Sequence, residues 1–173
     1  LCLGGSQKVI SAPPDTSFIA VSDTAWDIAE RVGYVGYDAL LPFKDALRNR
    51  LFPYTPSWHG MAALHRATQL LLDEGLDEVF ERHEKIALYV RERLNECGLE
   101  LYPAEHAIPS PTVTAVNLPA GITWADFDNR LREQGLVVGG NYGPLAGKVW
   151  RLGHMGSQAD WPLAQQALDV IQE

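Results

Sequence analysis

The stretch Gly5–Asp23, "GSQKVISAPPDTSFIAVSD", sets one lysine, Lys8, between a glycine pair and the double proline Pro13-Pro14. The apolar run Leu1-Cys2-Leu3 before it reads as the tail of a strand stopped by Gly4-Gly5. The run after it, "SFIAVS" (Ser17–Ser22), is apolar, β-prone and bounded by "PPDT" and Asp23, which predicts a buried strand. A lysine that attacks a carbonyl must be partly desolvated, because the free amine is protonated at neutral pH. It must also sit on stiff backbone so that the carbon meets it in line. The glycine pair and the prolines predict both. Spacing alone leaves a solvated surface lysine as the competing reading.

Outward from that loop the elements alternate. Asp23–Val32 reads as a short helix, and Gly33–Pro53 as loop with a helical turn around Phe43–Arg50. Thr55 as N-cap with Pro56 at the first helical position predicts a helix through Trp58, Met61, Leu64, Thr68 and Leu71, ending at Gly75. A second helix carries one apolar stripe through Leu76, Val79, Phe80, His83, Ala87, Val90, Leu94 and Cys97, and Gly98 ends it. Beyond it "LELY", "TVTAVNL", "LVV" and "KVWRL" read as strands. Thr123 with Asp126 forms a capping box for a helix through Gln134, and Asp160 opens a last helix through Ile171. This is an α/β pattern, with a small α/β lobe beginning near Leu99.

Composition excludes several classes. A net charge of −8 offers no basic field for a phosphate backbone, which argues against nucleic-acid binding. No apolar run approaches the length of a membrane span. Cys2 and Cys97 make no disulfide framework and read as small apolar filler in a reducing, cytoplasmic setting. His59, His65, His83, His106 and His154 show no zinc spacing, so no metal is expected, and His83 on the apolar stripe reads as a hydrogen-bonded core histidine. "GGNYGPLAGKV" fails as a phosphate loop, because Tyr142 and Val149 stand where a glycine and a hydroxyl belong. Gly139 and Gly140 there predict a turn with positive φ.

The stretch around Lys8 resembles the lysine segment of class V aminotransferases of the alanine–glyoxylate and serine–glyoxylate (serine–pyruvate) type. Further blocks resemble the same family in the same order: "FPYTPSWHGMAALHRATQLLLDEGLDEVFERHEK", "PSPTVTAVNLPAG" and "GKVWRLGHMG". The resemblance spans Leu3 to Gly156. It implies a pyridoxal 5′-phosphate (PLP) transferase of fold type I, aspartate aminotransferase-like. The chain then comprises the C-terminal part of the large domain (1–75), a connecting helix (76–98) and the small C-terminal α/β domain (99–173). The chain opens on Leu1, with little ahead of Lys8, so the resemblance also implies a fragment that is inactive alone.

The resemblance assigns roles one residue at a time. Lys8 falls on the lysine that bonds the cofactor, and Gln7 on a residue that helps hold its phosphate. Thr55 matches a threonine reaching the phosphate of the neighbouring subunit, which implies a homodimer with the site at its interface. Arg151 matches the arginine that grips the substrate α-carboxylate, as a guanidinium fork does bidentately. The implied reaction is transamination of a small amino acid, alanine or serine, with glyoxylate or pyruvate. One departure stands out: the animal alanine–glyoxylate enzymes place a tyrosine where this chain has Phe52. The "FPYTP" wording is closer to bacterial serine–glyoxylate and pyridoxamine–pyruvate aminotransferases. A cysteine desulfurase would need a cysteine on a mobile loop, and neither Cys2 nor Cys97 fits. A catalytically silent dimerisation module stays open as the non-enzyme alternative.

Overall fold

A computed structural model describes residues 1–172. The chain divides into two compact units, Leu1–Leu70 and Leu71–Glu173.

In the first unit, β1 (Cys2–Gly5) and β2 (Ser17–Ala20) form an antiparallel ribbon with Leu3 opposite Ile19 and Gly5 opposite Ser17. The buried strand expected at Ser17–Ser22 is not found: β2 is exposed along its length. A ribbon of only two strands has no further layer to bury its apolar side chains, and Leu3 and Cys2 are exposed as well. Cys2 is therefore not core filler. Helix α1 (Asp23–Val32) starts where the Ser22 hydroxyl accepts from the Ala25 N–H at 3.3 Å, and ends at Gly33 in the left-handed region. A 3-10 turn at Leu41–Phe43 and the short helix α2 (Ala46–Asn49) fill the predicted loop.

Helix α3 (Trp58–Glu74) begins later than expected. Ser57 is its cap, accepting from the Gly60 N–H at 3.3 Å, whereas Thr55 and Pro56 lie outside the helix. Two capping residues compete here. The side chain that reaches a free N–H of the first turn is that of Ser57, two residues further on, so the cap falls there.

The second unit is built on α4 (Leu76–Glu96), which begins after Gly75 and is closed beyond Cys97 by Gly98 at φ +76°. Its buried stripe runs Val79, His83, Ile86, Ala87, Val90 and Leu94. Leu76 and Phe80, expected in the stripe, are largely exposed, while Ile86 is fully buried. Strands β3 (Val113–Asn117) and β4 (Val149–Gly153) pair antiparallel, with Ala115 opposite Arg151. Helices α5 (Trp124–Glu133) and α6 (Trp161–Gln172) complete the core, in which Trp150, Val116, Leu131 and Leu168 meet Ile86, Val90 and Leu94. The Thr123 cap is as read: its hydroxyl accepts from the Asp126 N–H at 3.2 Å and donates to the Asp126 carboxylate at 2.7 Å.

"LELY" and "LVV" are not strands: the first makes a single bridge, Leu101 to Val116, and the second none, a bridge from Gly139 to Arg151 following it. Pro103 has no N–H to continue the first ladder. In the second, the Leu136 N–H closes the end of α5 on Leu131 O, so pairing starts only at Gly139. No described helix is long and apolar enough to cross a membrane.

Candidate active site

The lysine loop hangs from Ser6, which is fully buried. Its N–H donates to Thr16 O at 3.0 Å, its carbonyl accepts from the Ala12 N–H at 3.0 Å, and its hydroxyl donates to Pro13 O. One residue thus ties both limbs of the loop together. Just past the lysine, the Ser11 N–H donates to Lys8 O at 2.9 Å, and Ser11 itself sits at φ +60°. The backbone around Lys8 is therefore held tightly. Lys8 and Gln7 lie side by side at the tip, both exposed, and no ion pair engages the Lys8 amine among the described residues. The stiffness expected at Lys8 is present. The desolvation is not, because nothing in this unit covers the loop tip.

The far limb of the loop rests on the start of α3. A Cβ at Gly60 would lie 2.5 Å from the Asp15 carboxylate oxygens and 2.6 Å from the Thr16 hydroxyl, so glycine is needed here for close approach. Asp15 also faces the Ser57 hydroxyl at 3.4 Å. This carboxylate suits the positive end of the helix. Thr55, exposed and three residues before α3, is thus not the cap of the helix. Close by in sequence, the Tyr54 hydroxyl donates to Tyr37 O and its ring packs on Tyr37 at 4.4 Å between centroids. The Tyr54 hydroxyl is thus engaged with the backbone of its own unit.

Arg151 belongs to the second unit, in the middle of β4. Its backbone N–H and carbonyl pair with Gly139 at 2.7 and 2.9 Å. Its Nη2 donates to Gly140 O at 2.8 Å, and its Nε is buried without a partner. The expectation of positive φ at Gly139 and Gly140 is not met; the left-handed glycines of this loop are Gly143 and Gly147. Gly140 is instead a place of close approach, since a Cβ there would lie 2.9 Å from the Trp124 ring.

The end of β4 is fixed by residues of α4. The His83 Nδ1–H donates to Val79 O at 2.6 Å, so the proton sits on Nδ1 and Nε2 accepts from the Gly156 N–H at 2.8 Å. This is the hydrogen-bonded core histidine that the stripe predicts. Arg82 holds Glu74 through Nε at 2.6 Å and Nη2 at 2.9 Å, and spends Nη1 on Gly156 O and Ala159 O. Among the described residues no group of His, Cys, Asp and Glu could hold a metal.

Sequence reasoning placed Gln7 and Lys8 together on one loop, with Thr55 in the same unit and Arg151 in the other. It missed Ser6, Ser57 and the contact of Gly140 with Trp124. A serine directly after a strand-end glycine pair was the available signal for Ser6. The other two depend on which distant residue approaches.

No family model matches the chain. It is 39% identical over 162 residues to an uncharacterized aminotransferase of Methanocaldococcus jannaschii, covering 90% of this chain and 41% of that protein. To the alanine–glyoxylate aminotransferase of Callithrix jacchus it is 35% identical over 178 residues, covering 98% of this chain and 42% of that one. Among solved structures, the pyridoxamine–pyruvate aminotransferase of Mesorhizobium loti matches with a TM-score of 0.91 at 32% identity, over 98% of this chain and 44% of that one. The chain thus spans about two fifths of the length of the curated relatives it matches.

Proposed function

Since the chain belongs to the class V aminotransferases, PLP enzymes of fold type I, we propose that its residues serve transamination between a small amino acid and a 2-oxo acid. Alanine or serine would be the donor, and glyoxylate or pyruvate the acceptor. The observation that carries this reading is the Ser6-clamped loop that presents Gln7 and Lys8 together. The residues present fit the cofactor. An amine outside any ion pair among the described residues stands beside an amide donor on stiff backbone, and the Thr55 side chain is not committed to capping a helix.

When bound, PLP supplies the aldehyde carbon that takes up the amino group and the ring that draws electrons from the substrate α-carbon. The chain's own residues do the rest. Lys8 would hold the cofactor through Nζ and, once released, carry the substrate's α-proton on that nitrogen. Gln7 and Thr55 would donate to the phosphate, with Thr55 serving the neighbouring subunit's site in a homodimer. Arg151 would take the substrate α-carboxylate, fixing the direction of the bond that loses its proton. Covering the Lys8 tip, which is exposed here, is a task we assign to the rest of the assembled enzyme. The 1–75, 76–98 and 99–173 division stands as our reading of the domains. The free thiols Cys2 and Cys97 suit a cytoplasmic setting.

The "FPYTP" wording and the similarity to a pyridoxamine–pyruvate aminotransferase support a second reading, a pyridoxamine–pyruvate-like donor preference. Comparing pyridoxamine with alanine and serine as donors separates the two. The test of the core proposal is borohydride trapping with PLP followed by peptide mapping. Label is expected at Lys8 and lost in Lys8→Ala. Labelling at Lys8 no greater than at Lys44 or Lys85 would favour a silent module and defeat the assignment.

A further inference from the structure

We infer that Gly140, backed by Trp124, is a ledge that decides which edge of the Arg151 guanidinium meets a substrate carboxylate. This deepens the proposal that Arg151 is the carboxylate anchor and rests on it. A guanidinium offers a carboxylate either its Nε/Nη2 side or its Nη1/Nη2 end. In Arg151, Nη2 already donates to Gly140 O at 2.8 Å. A Cβ built on Gly139 would lie 3.5 Å from Nη2 and 3.7 Å from Nε, and that Nε is buried without a partner. The side edge therefore runs along the Gly139–Gly140 backbone. The end is left for the ligand, so a carboxylate is met by Nη1 and the second Nη2 proton.

The ledge is held from behind. A Cβ on Gly140 would meet Trp124 at 2.9 Å from Cζ2, 3.0 Å from Cε2 and 3.3 Å from Nε1. Trp124 cannot swing away freely. It is the first residue of α5 after the Thr123 cap, its ring packs 6.2 Å from Phe127, and Phe127 packs 5.0 Å from the fully buried Trp150. Since φ at Gly140 is not positive, its need for glycine is spatial. A side chain there displaces the Gly140 carbonyl and, with it, the guanidinium. Gly140 and Trp124 are positioning residues that act through Arg151.

The test is a double-substitution cycle in the PLP-loaded holoenzyme that carries these residues. Gly140→Ala should raise KM for both amino acid and 2-oxo acid about tenfold, with kcat at saturation little changed, as expected when one charge-assisted hydrogen bond to the anchor is lost. Trp124→Leu should raise KM about threefold by unbacking the ledge, and the double variant should stay near that level, because the new Cβ then finds room. Equilibrium binding of pyruvate by calorimetry should follow the same order. An additive double variant, or an unchanged KM in a folded Gly140→Ala enzyme, overturns the ledge. If Gly140→Ala does not fold, an unchanged KM in Trp124→Leu does so. Arg151→Lys separates the two levels. If it leaves KM and pyruvate binding unmoved, the anchor itself fails. If it raises KM while the Gly140 and Trp124 variants do not, only the ledge fails.

Discussion

Acidification should destabilise the fold through His154, and the amount follows from where that ring sits. His154 is 2% exposed; its Nε2 shares a 2.8 Å hydrogen bond with the Thr114 hydroxyl, and its Nδ1 is buried without a partner. Burial pushes its pKa down to about 4, with the Arg91 charge acting in the same direction and nearby backbone carbonyls opposing. An unfolded histidine titrates near 6.5. Between those values the unfolded chain binds a proton that the folded one refuses, so stability is complete above about pH 6.5 and falls as pH drops toward 4. The slope approaches about 1.4 kcal/mol per pH unit, and the full loss is about 3 kcal/mol. The assay is urea unfolding at a series of pH values for the unsubstituted chain and for His154→Gln, which can still bond Thr114 and does not titrate. At pH 7 the variant should be less stable by about 1–2 kcal/mol from lost packing and hydrogen bonding. By pH 4 the order should reverse, since the carboxylates that titrate there are common to both. Parallel curves across the window would refute the argument that burial keeps this ring neutral.

Other substitutions probe the polar contacts that shape the two units. His83→Ala orphans the buried Gly156 N–H and opens space beside α4, and should cost about 2–4 kcal/mol in chemical unfolding. Ser6→Ala removes the hydroxyl tie to Pro13 O and should cost about 1–2 kcal/mol; it should also speed amide exchange at Ser11 and Ala12, which a purely global loss of stability would not single out. Ser57→Ala should destabilise α3 by about 1 kcal/mol and Thr55→Ala by much less, a direct check on which residue caps the helix.

The sequence made the periodic elements legible, and the reason is physical. Helix α4 could be read from its stripe because a face buried against one layer must repeat every three to four residues. The Thr123 cap could be read because its partner, Asp126, is three positions away. Where the reading failed, the deciding partner was absent or remote. The run at Ser17–Ser22 is as apolar as a buried strand, but burial needs a neighbouring layer, and the ribbon has none in this unit. "LVV" has strand chemistry, yet the Leu136 N–H is taken by the end of α5. Gly139 and Gly140 looked like conformational glycines because spacing cannot distinguish a need for φ from a need for room.

That last distinction bears on the candidate site. Arg151 is fixed at both flanks by residues that no local pattern connects to it. Upstream, the Gly139 and Gly140 carbonyls take its backbone and side-chain N–H groups. Downstream, His83 and Arg82 grip the backbone of Gly156, at the turn that follows β4. A guanidinium on a strand held only by its ladder could tilt with the strand end, and a small tilt is enough to misalign a bidentate contact. Hydrogen bonds to backbone beside Arg151 and beyond the end of its strand reduce that freedom. The glycine pair before β4 therefore sets Arg151 from beside its strand, while the "RH" pair of α4 fixes the turn beyond the strand's end.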